Sequence, residues 1–341
     1  MWMPNLYVNL MLVSVVGFNL MSPLLLASER TNSAKTNGPL PESQLDSAMQ
    51  RQIADWIAGL DDDSFSHRHA CQQMLVRTGW PVLRSVQEAM NSPSAEVRLR
   101  AKLIKVQVQH GWLNAEFSRI AQLKADEMDV EYAMWLIALI VNPAASRQRM
   151  TQQLDDLAAA VQRRIGPQTD ARTLPPRQLM EALREELFAV QGFAGATNDY
   201  DHPQNSSLDY VLSKRRGLPI LLSHVVVCVA QRLKAPVYGY AANRCYMVMY
   251  DHRQAPAKHP TDELIMHAFD GGRLMNRKEL EETLNRLGTQ LPANSPILPD
   301  AAPDIIRRML ANLASDYAAQ GDPQNAAWVS GISQQFGTPL P

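Results

Sequence analysis

Arg215-Arg216-Gly217-Leu218-Pro219-Ile220-Leu221-Leu222-Ser223-His224-Val225-Val226-Val227-Cys228-Val229-Ala230-Gln231-Arg232-Leu233 is the stretch whose reading decides the fold. Gly217-Leu218-Pro219 makes a sharp break, and Leu221 to Leu233 is apolar on every face of a helix, which makes it a buried central helix. Just beyond it the apolar period changes to two. Val237-Tyr238-Gly239-Tyr240, Tyr246 to Tyr250 and Leu264 to Phe269 read as strands, with a polar 251–263 connection between the last two. A buried helix is thus followed by three strands.

Upstream of this stretch the chain is helical. Leu208 to Lys214 continues a helix after the polar turn Asp201-His202-Pro203-Gln204-Asn205-Ser206-Ser207, and Leu179 to Phe188 forms another. Gly166-Pro167 and Pro175-Pro176 break the pattern and set a domain boundary near 172. Before it, helical spacing predicts helices over 45–60, 65–77, 82–90, from 94 onward and through 143–173, a chain of short antiparallel helices. The fold class is therefore mostly α, α+β overall: 1–27 an apolar segment, 28–44 a linker, 45–172 helical, 173–296 the α+β core and 297–341 a helical tail.

The chain has 341 residues, more than one compact core usually holds. A formal charge of -1 removes the broad pull toward nucleic acid that a basic domain exerts. A local excess of nine Lys/Arg over three Glu lies between Ser64 and Lys124, and it reads first as a solvated helix face. Three scattered cysteines, Cys71, Cys228 and Cys245, give neither a disulfide framework nor a structural zinc site. The first 28 residues carry no charged side chain, so 6–26 is read as an export signal or membrane anchor, with a cytoplasmic location as the alternative.

Two family resemblances rest on particular residues. Leu60-Asp61-Asp62-Asp63-Ser64-Phe65, Gly79-Trp80-Pro81-Val82-Leu83 and Ser94-Ala95-Glu96-Val97-Arg98-Leu99-Arg100-Ala101 together resemble a HEAT-like helical repeat. Tyr200 to Ser206, Arg215 to Ile220, Gly271-Gly272-Arg273-Leu274, and Ile305 to Leu313 ahead of Tyr317 and Gly321-Asp322 resemble the SirB-type family of transglutaminase-like proteins. That second resemblance implies a transglutaminase-like α+β core closed by a tetratricopeptide-like helix pair at 303–319 and 323–336.

The wider superfamily carries out acyl transfer or amide hydrolysis with a Cys at the start of the central helix, a His on the next strand and an Asp beside it. Here the nucleophile's place falls on Pro219-Ile220-Leu221, the His place on Cys245 and the Asp place on His267. All three depart from the pattern. The residues therefore imply a non-catalytic scaffold that binds a protein or peptide, with Asp201, Asn205, Arg216, Tyr246 and Asp270 as candidate binding residues and no cofactor or metal. The alternative is a rearranged dyad, in which Cys245 is the nucleophile of a thiol-dependent hydrolase or acyl transferase, His267 its base, and Asn205 or Asp270 the orienting group. A third reading is a nucleic-acid-associated regulator working through the basic helical arm.

Overall fold

The computed structural model describes residues 46–242, 245–254, 263–291 and 296–337. The apolar segment at 1–27 and the linker at 28–44 lie outside the described residues. Among the described residues no helix is long and apolar enough to cross a membrane.

The chain begins with α1 (Ser47–Ala58), α2 (Phe65–Thr78), α3 (Leu83–Ala89) and α4 (Ala95–Ala121). The side chains of Asp46, Ser64 and Ser94 each accept a backbone N–H three residues on, which starts α1, α2 and α4. Ile53, Leu60, Leu75, Val86, Val97, Ala101 and Ile104 bury one another in a core of their own. The fourth helix is longer than the short ones the sequence predicts. Gly111 sits in its middle at a cost of only about 1 kcal/mol, and the helix runs on because both halves bury apolar side chains. Val97 to Val108 serve the first core, whereas Leu113, Phe117 and Ile120 enter the main one.

The helix α5 (Val130–Val141), apolar beyond Glu131 and not singled out by the sequence reading, is capped by Asp129. The helical run expected over 143–173 is α6 (Arg147–Ile165), stopped by Gly166 at φ 108°. Next comes α7 (Pro176–Arg184), which widens into a π turn at Glu185–Val190. Leu154 and Val161 share the main core with Leu179 and Leu183, so the break at 166–176 is crossed inside that core.

Two short strands, β1 (Ala194–Gly195) and β2 (Arg216–Gly217), pair in parallel on either side of α8 (Leu208–Lys214). The decisive stretch is α9 (Pro219–Arg232), followed by an antiparallel sheet in sequential order: β3 (Val237–Ala242), β4 (Cys245–Tyr250), β5 (Ile265–His267) and β6 (Arg273–Met275). The strand expected over 264–269 is shorter, because Ala268–Asp270 coil into a 3-10 turn. Gly271 and Gly272, both at positive φ, then reverse the chain, and the run read as a turn supplies a fourth strand. Strand alternation sends Tyr246, Val248, Tyr250 and Met266 toward α9, and Met247, Met249, Ile265 and Met275 toward α10 (Arg277–Arg286).

The tail is α11 (Ala302–Ala319) and α12 (Pro323–Ser333), with a 3-10 turn through Phe336. Ile306, Met309, Leu310 and Leu313 complete the main core. Trp328 stacks on His110 of α4 with ring centroids 3.5 Å apart and donates Nε1–H to Asn114 Oδ1 at 3.0 Å. The tail thus closes against the second half of the long helix.

Candidate functional site

The polar turn before α8 and the strand after it frame a small cleft. Its form results from local backbone choices: Asp199 and Arg215 both take positive φ (63° and 59°), so the chain reverses before the Pro203–Ser206 turn and again after α8. Gly217 has no room for a side chain, since a Cβ there would lie 2.5 Å from Val211 Cγ2. Gly195 is closed in the same way by the Phe269 ring at 2.7 Å. Between them lies a cleft of about 190 Å³ lined by residues 195–199 with His202, Asn205, Tyr210 and Arg216.

Two of the candidates read from the sequence, Asn205 and Arg216, meet here. Asn205 is buried, and its Nδ2 donates to the carbonyls of Asp199 (2.6 Å) and Tyr200 (3.2 Å), holding the turn from beneath. Arg216 Nη1 donates to the carbonyls of Gly192 (2.7 Å) and Arg215 (2.9 Å). Among the described residues Arg216 has no carboxylate partner. Asp209 on α8 pairs with Arg149 at 3.5 Å and accepts from Asn142 Nδ2 at 2.8 Å. Asp201 is exposed on the same turn, and its carbonyl accepts from Gln320, just after α11, at 3.5 Å.

The other candidates lie elsewhere. Tyr246 is 2% exposed and points into the core, where its hydroxyl meets His224 Nε2 at 3.1 Å. Burial drives the His224 imidazole down to about 3 and the Tyr246 phenol well above its usual range. Asp270 is exposed and accepts from Arg273 Nε at 2.9 Å.

The places that the sequence resemblance implies for a nucleophile, a His and an Asp are Pro219–Leu221, Cys245 and His267. Ile220 and Leu221 at the start of α9 are buried and apolar. Cys245 is half-buried at the start of β4; burial pushes its thiol up, and the charge of Arg308 partly offsets this. His267 ends β5, and burial lowers its imidazole, with Asp270 acting the other way. Its Nδ1 is buried without a hydrogen-bond partner and lies 4.0 Å from Asp270 Oδ2. Val248 pairs with Met266, so one further step of that register sets His267 opposite Met247, diagonal to Cys245. Such diagonal neighbours lie about 7–8 Å apart, and no hydrogen bond joins Cys245 to His267. Tyr200 and Phe269 meet edge to face at 5.9 Å beside β1, and burial, with the charges of Asp316 and Asp201, pushes the Tyr200 phenol up.

Residues that sequence reasoning does not single out also shape the site. Asp316 of α11 is buried and accepts from Ser206 Oγ at 2.7 Å, tying the tail to the cleft turn. Phe269 fixes Gly195. Neither has a local signal, because both contacts are long in sequence.

A family model described as the transglutaminase-like superfamily matches residues 148–311, from within α6 to within α11. Residues 148–311 are thus similar to the transglutaminase-like superfamily, and the matched stretch takes in α6 from its second residue, the cleft, α9 and the whole four-stranded sheet. The chain is also similar to a UPF0162 protein of Xylella fastidiosa, at 33% identity over 146 residues, 41% of this chain and 49% of that protein. A UPF0162 protein of Pseudomonas aeruginosa is 28% identical over 195 residues, covering 57% of this chain and 66% of its own length. The chain spans about half the length of the Xylella relatives it matches. No solved structure matches the chain.

Proposed function

We propose that the transglutaminase-like domain is a non-catalytic, SirB-type module that binds a protein or peptide. The observation that carries this reading is the start of α9. Where acyl-transfer chemistry needs a nucleophile, Pro219, Ile220 and Leu221 offer only hydrocarbon, and the last two are buried. The cleft beside it offers a different kind of chemistry. Arg216 presents a guanidinium without a carboxylate partner, next to the polar backbone of 195–199, which suits a peptide's carboxylate and amide groups. In this reading α1 to α4 form a HEAT-like arm and α11 with α12 a tetratricopeptide-like closure, and both hold the domain rather than act on a substrate.

The test is iodoacetamide labelling of each cysteine in the folded protein from about pH 5 to 9, with buried Cys228 as the control. Cys245 is expected to react slowly below its ordinary thiol range and to be indifferent to His267→Ala. Fast labelling at neutral pH that slows when His267 is replaced would overturn the non-catalytic reading. In parallel, short peptides with a free C-terminal carboxylate should shift the backbone amide resonances of residues 195–205, and Arg216→Ala should abolish those shifts.

A further inference from the structure

The outward face of α4 carries an apolar ridge and a basic ridge side by side. Leu99, Leu103 and Val106 are 56%, 48% and 49% exposed, and their spacing of four and three residues aligns them on one helix face. One residue earlier, Arg98, Lys102 and Lys105 repeat the same spacing and form the neighbouring ridge. No ion pair among the described residues includes Lys102 or Lys105, and Arg98 spends Nη1 on the carbonyls of Ser92 and Pro93. The inner face of the same helix, Val97, Ala101, Ile104 and Val108, is already buried. The outer ridge therefore contributes nothing to the fold, yet it holds three large apolar side chains in water over two turns.

We infer that this face of α4 docks an amphipathic acidic helix of a partner protein. An incoming helix with apolar residues at i, i+4 and i+7 covers Leu99, Leu103 and Val106, and carboxylates along one flank meet Lys102, Lys105 and Arg98. Charge complementarity argues for a helix rather than a flat anionic surface. Glu96, on the other side of the apolar ridge, is already paired with Arg68 and Arg100 at 3.2 and 2.6 Å, whereas Asp61 sits at the start of α4, where its carboxylate meets the Ser94 hydroxyl. A lipid headgroup layer would press against the Asp61 carboxylate, whereas a helix lying along the basic ridge avoids it. The inference concerns a surface separate from the cleft and stands whether or not the cleft binds a peptide.

The experiment uses the full chain and three probes. The first is a labelled helical peptide of about four turns with Leu at i, i+4, i+7 and i+11 and Glu along one flank; the second carries Lys in place of Glu; the third is a vesicle of phosphatidylcholine and phosphatidylglycerol. Fluorescence anisotropy should show the acidic peptide binding at least about tenfold more tightly than the basic one. Leu103→Ser, and separately the Lys102→Glu/Lys105→Glu pair, should each weaken it by at least about tenfold, and added salt should weaken it further. Lys102 and Leu103 are exposed and Lys105 is half-buried outside the core, so the variants should keep the parent's melting temperature, which is measured alongside. Equal binding of the two peptides, indifference to the substitutions, or capture of vesicles but not of the acidic peptide would overturn the inference. A dimer seen by sedimentation and lost in Leu103→Ser would overturn it too, because the occupant would then be a second copy.

Discussion

Ser206 in the cleft turn donates its hydroxyl to Asp316 of the tail helix at 2.7 Å, with both side chains buried. This bond spans the domain and its closing helix, and it has a titration consequence. Burial raises the Asp316 carboxyl to about 6 from 3.8, the Asp201 charge adds to the rise, and the Ser206 bond opposes it. The folded state thus holds the proton more tightly than the unfolded chain. Its contribution to stability is fully present below pH 3.8 and is lost as pH rises through about 6. Asp316→Asn keeps a partner for Ser206 and removes the buried charge. It should raise the melting temperature by several degrees at about pH 7.5 and leave it unchanged near pH 4. Equal shifts at both pH values would contradict this assignment.

His224 acts in the opposite sense. Its imidazole is held down to about 3 from 6.5 by burial, so the unfolded chain takes up a proton that the folded one refuses. Stability is present above pH 6.5 and falls as pH drops toward 3. Urea midpoints should decline across that window, and His224→Gln, which cannot titrate, should flatten the decline.

Gly195 and Phe269 are packed so closely that a methyl group cannot be added. Gly195→Ala should cost about 1–3 kcal/mol, because its Cβ would meet three ring carbons of Phe269 at 2.7–2.8 Å. Phe269→Leu removes those ring carbons and should recover part of the loss. A double-mutant cycle with no coupling would show that the ring moves aside freely.

Val226 is fully buried at the centre of α9. Val226→Asp leaves an unpaired carboxylate in the core and should prevent folding, whereas Val226→Ala should cost about 1–3 kcal/mol and keep the fold. Protease resistance of the Asp variant equal to wild type would exclude a central place for this helix.

Much of this architecture is legible in local pattern. The all-apolar run of α9 and the switch to period two in β3 and β4 are strong signals, because a helix or strand with no polar face can only be buried. The Asn205 turn and the Arg216 break are readable from residue chemistry. The helices α5 and α10 carry weaker signals. The first opens on Glu131 and Tyr132 before its apolar run and lies outside the motif blocks, and the second, Arg277–Arg286, has only Leu280 and Leu284 as apolar contacts in a polar run. Strand β6 is hidden behind Gly271-Gly272: the pair reads as a turn, and the three residues Arg273–Met275 are too few to show an alternating period of their own.

By itself the sequence determined the central helix, strands β3 and β4 and the polar turn, since each depends on neighbours a few residues away. Only the tertiary structure decided which distant groups meet, Ser206 with Asp316 and Tyr246 with His224, and that Cys245 and His267 do not. The reason is physical. Local pattern specifies which face of an element is apolar, but an acid such as Asp316 on a tail helix is buried or solvated according to what packs over it. That depends on register and on contacts between parts of the chain that lie far apart in sequence.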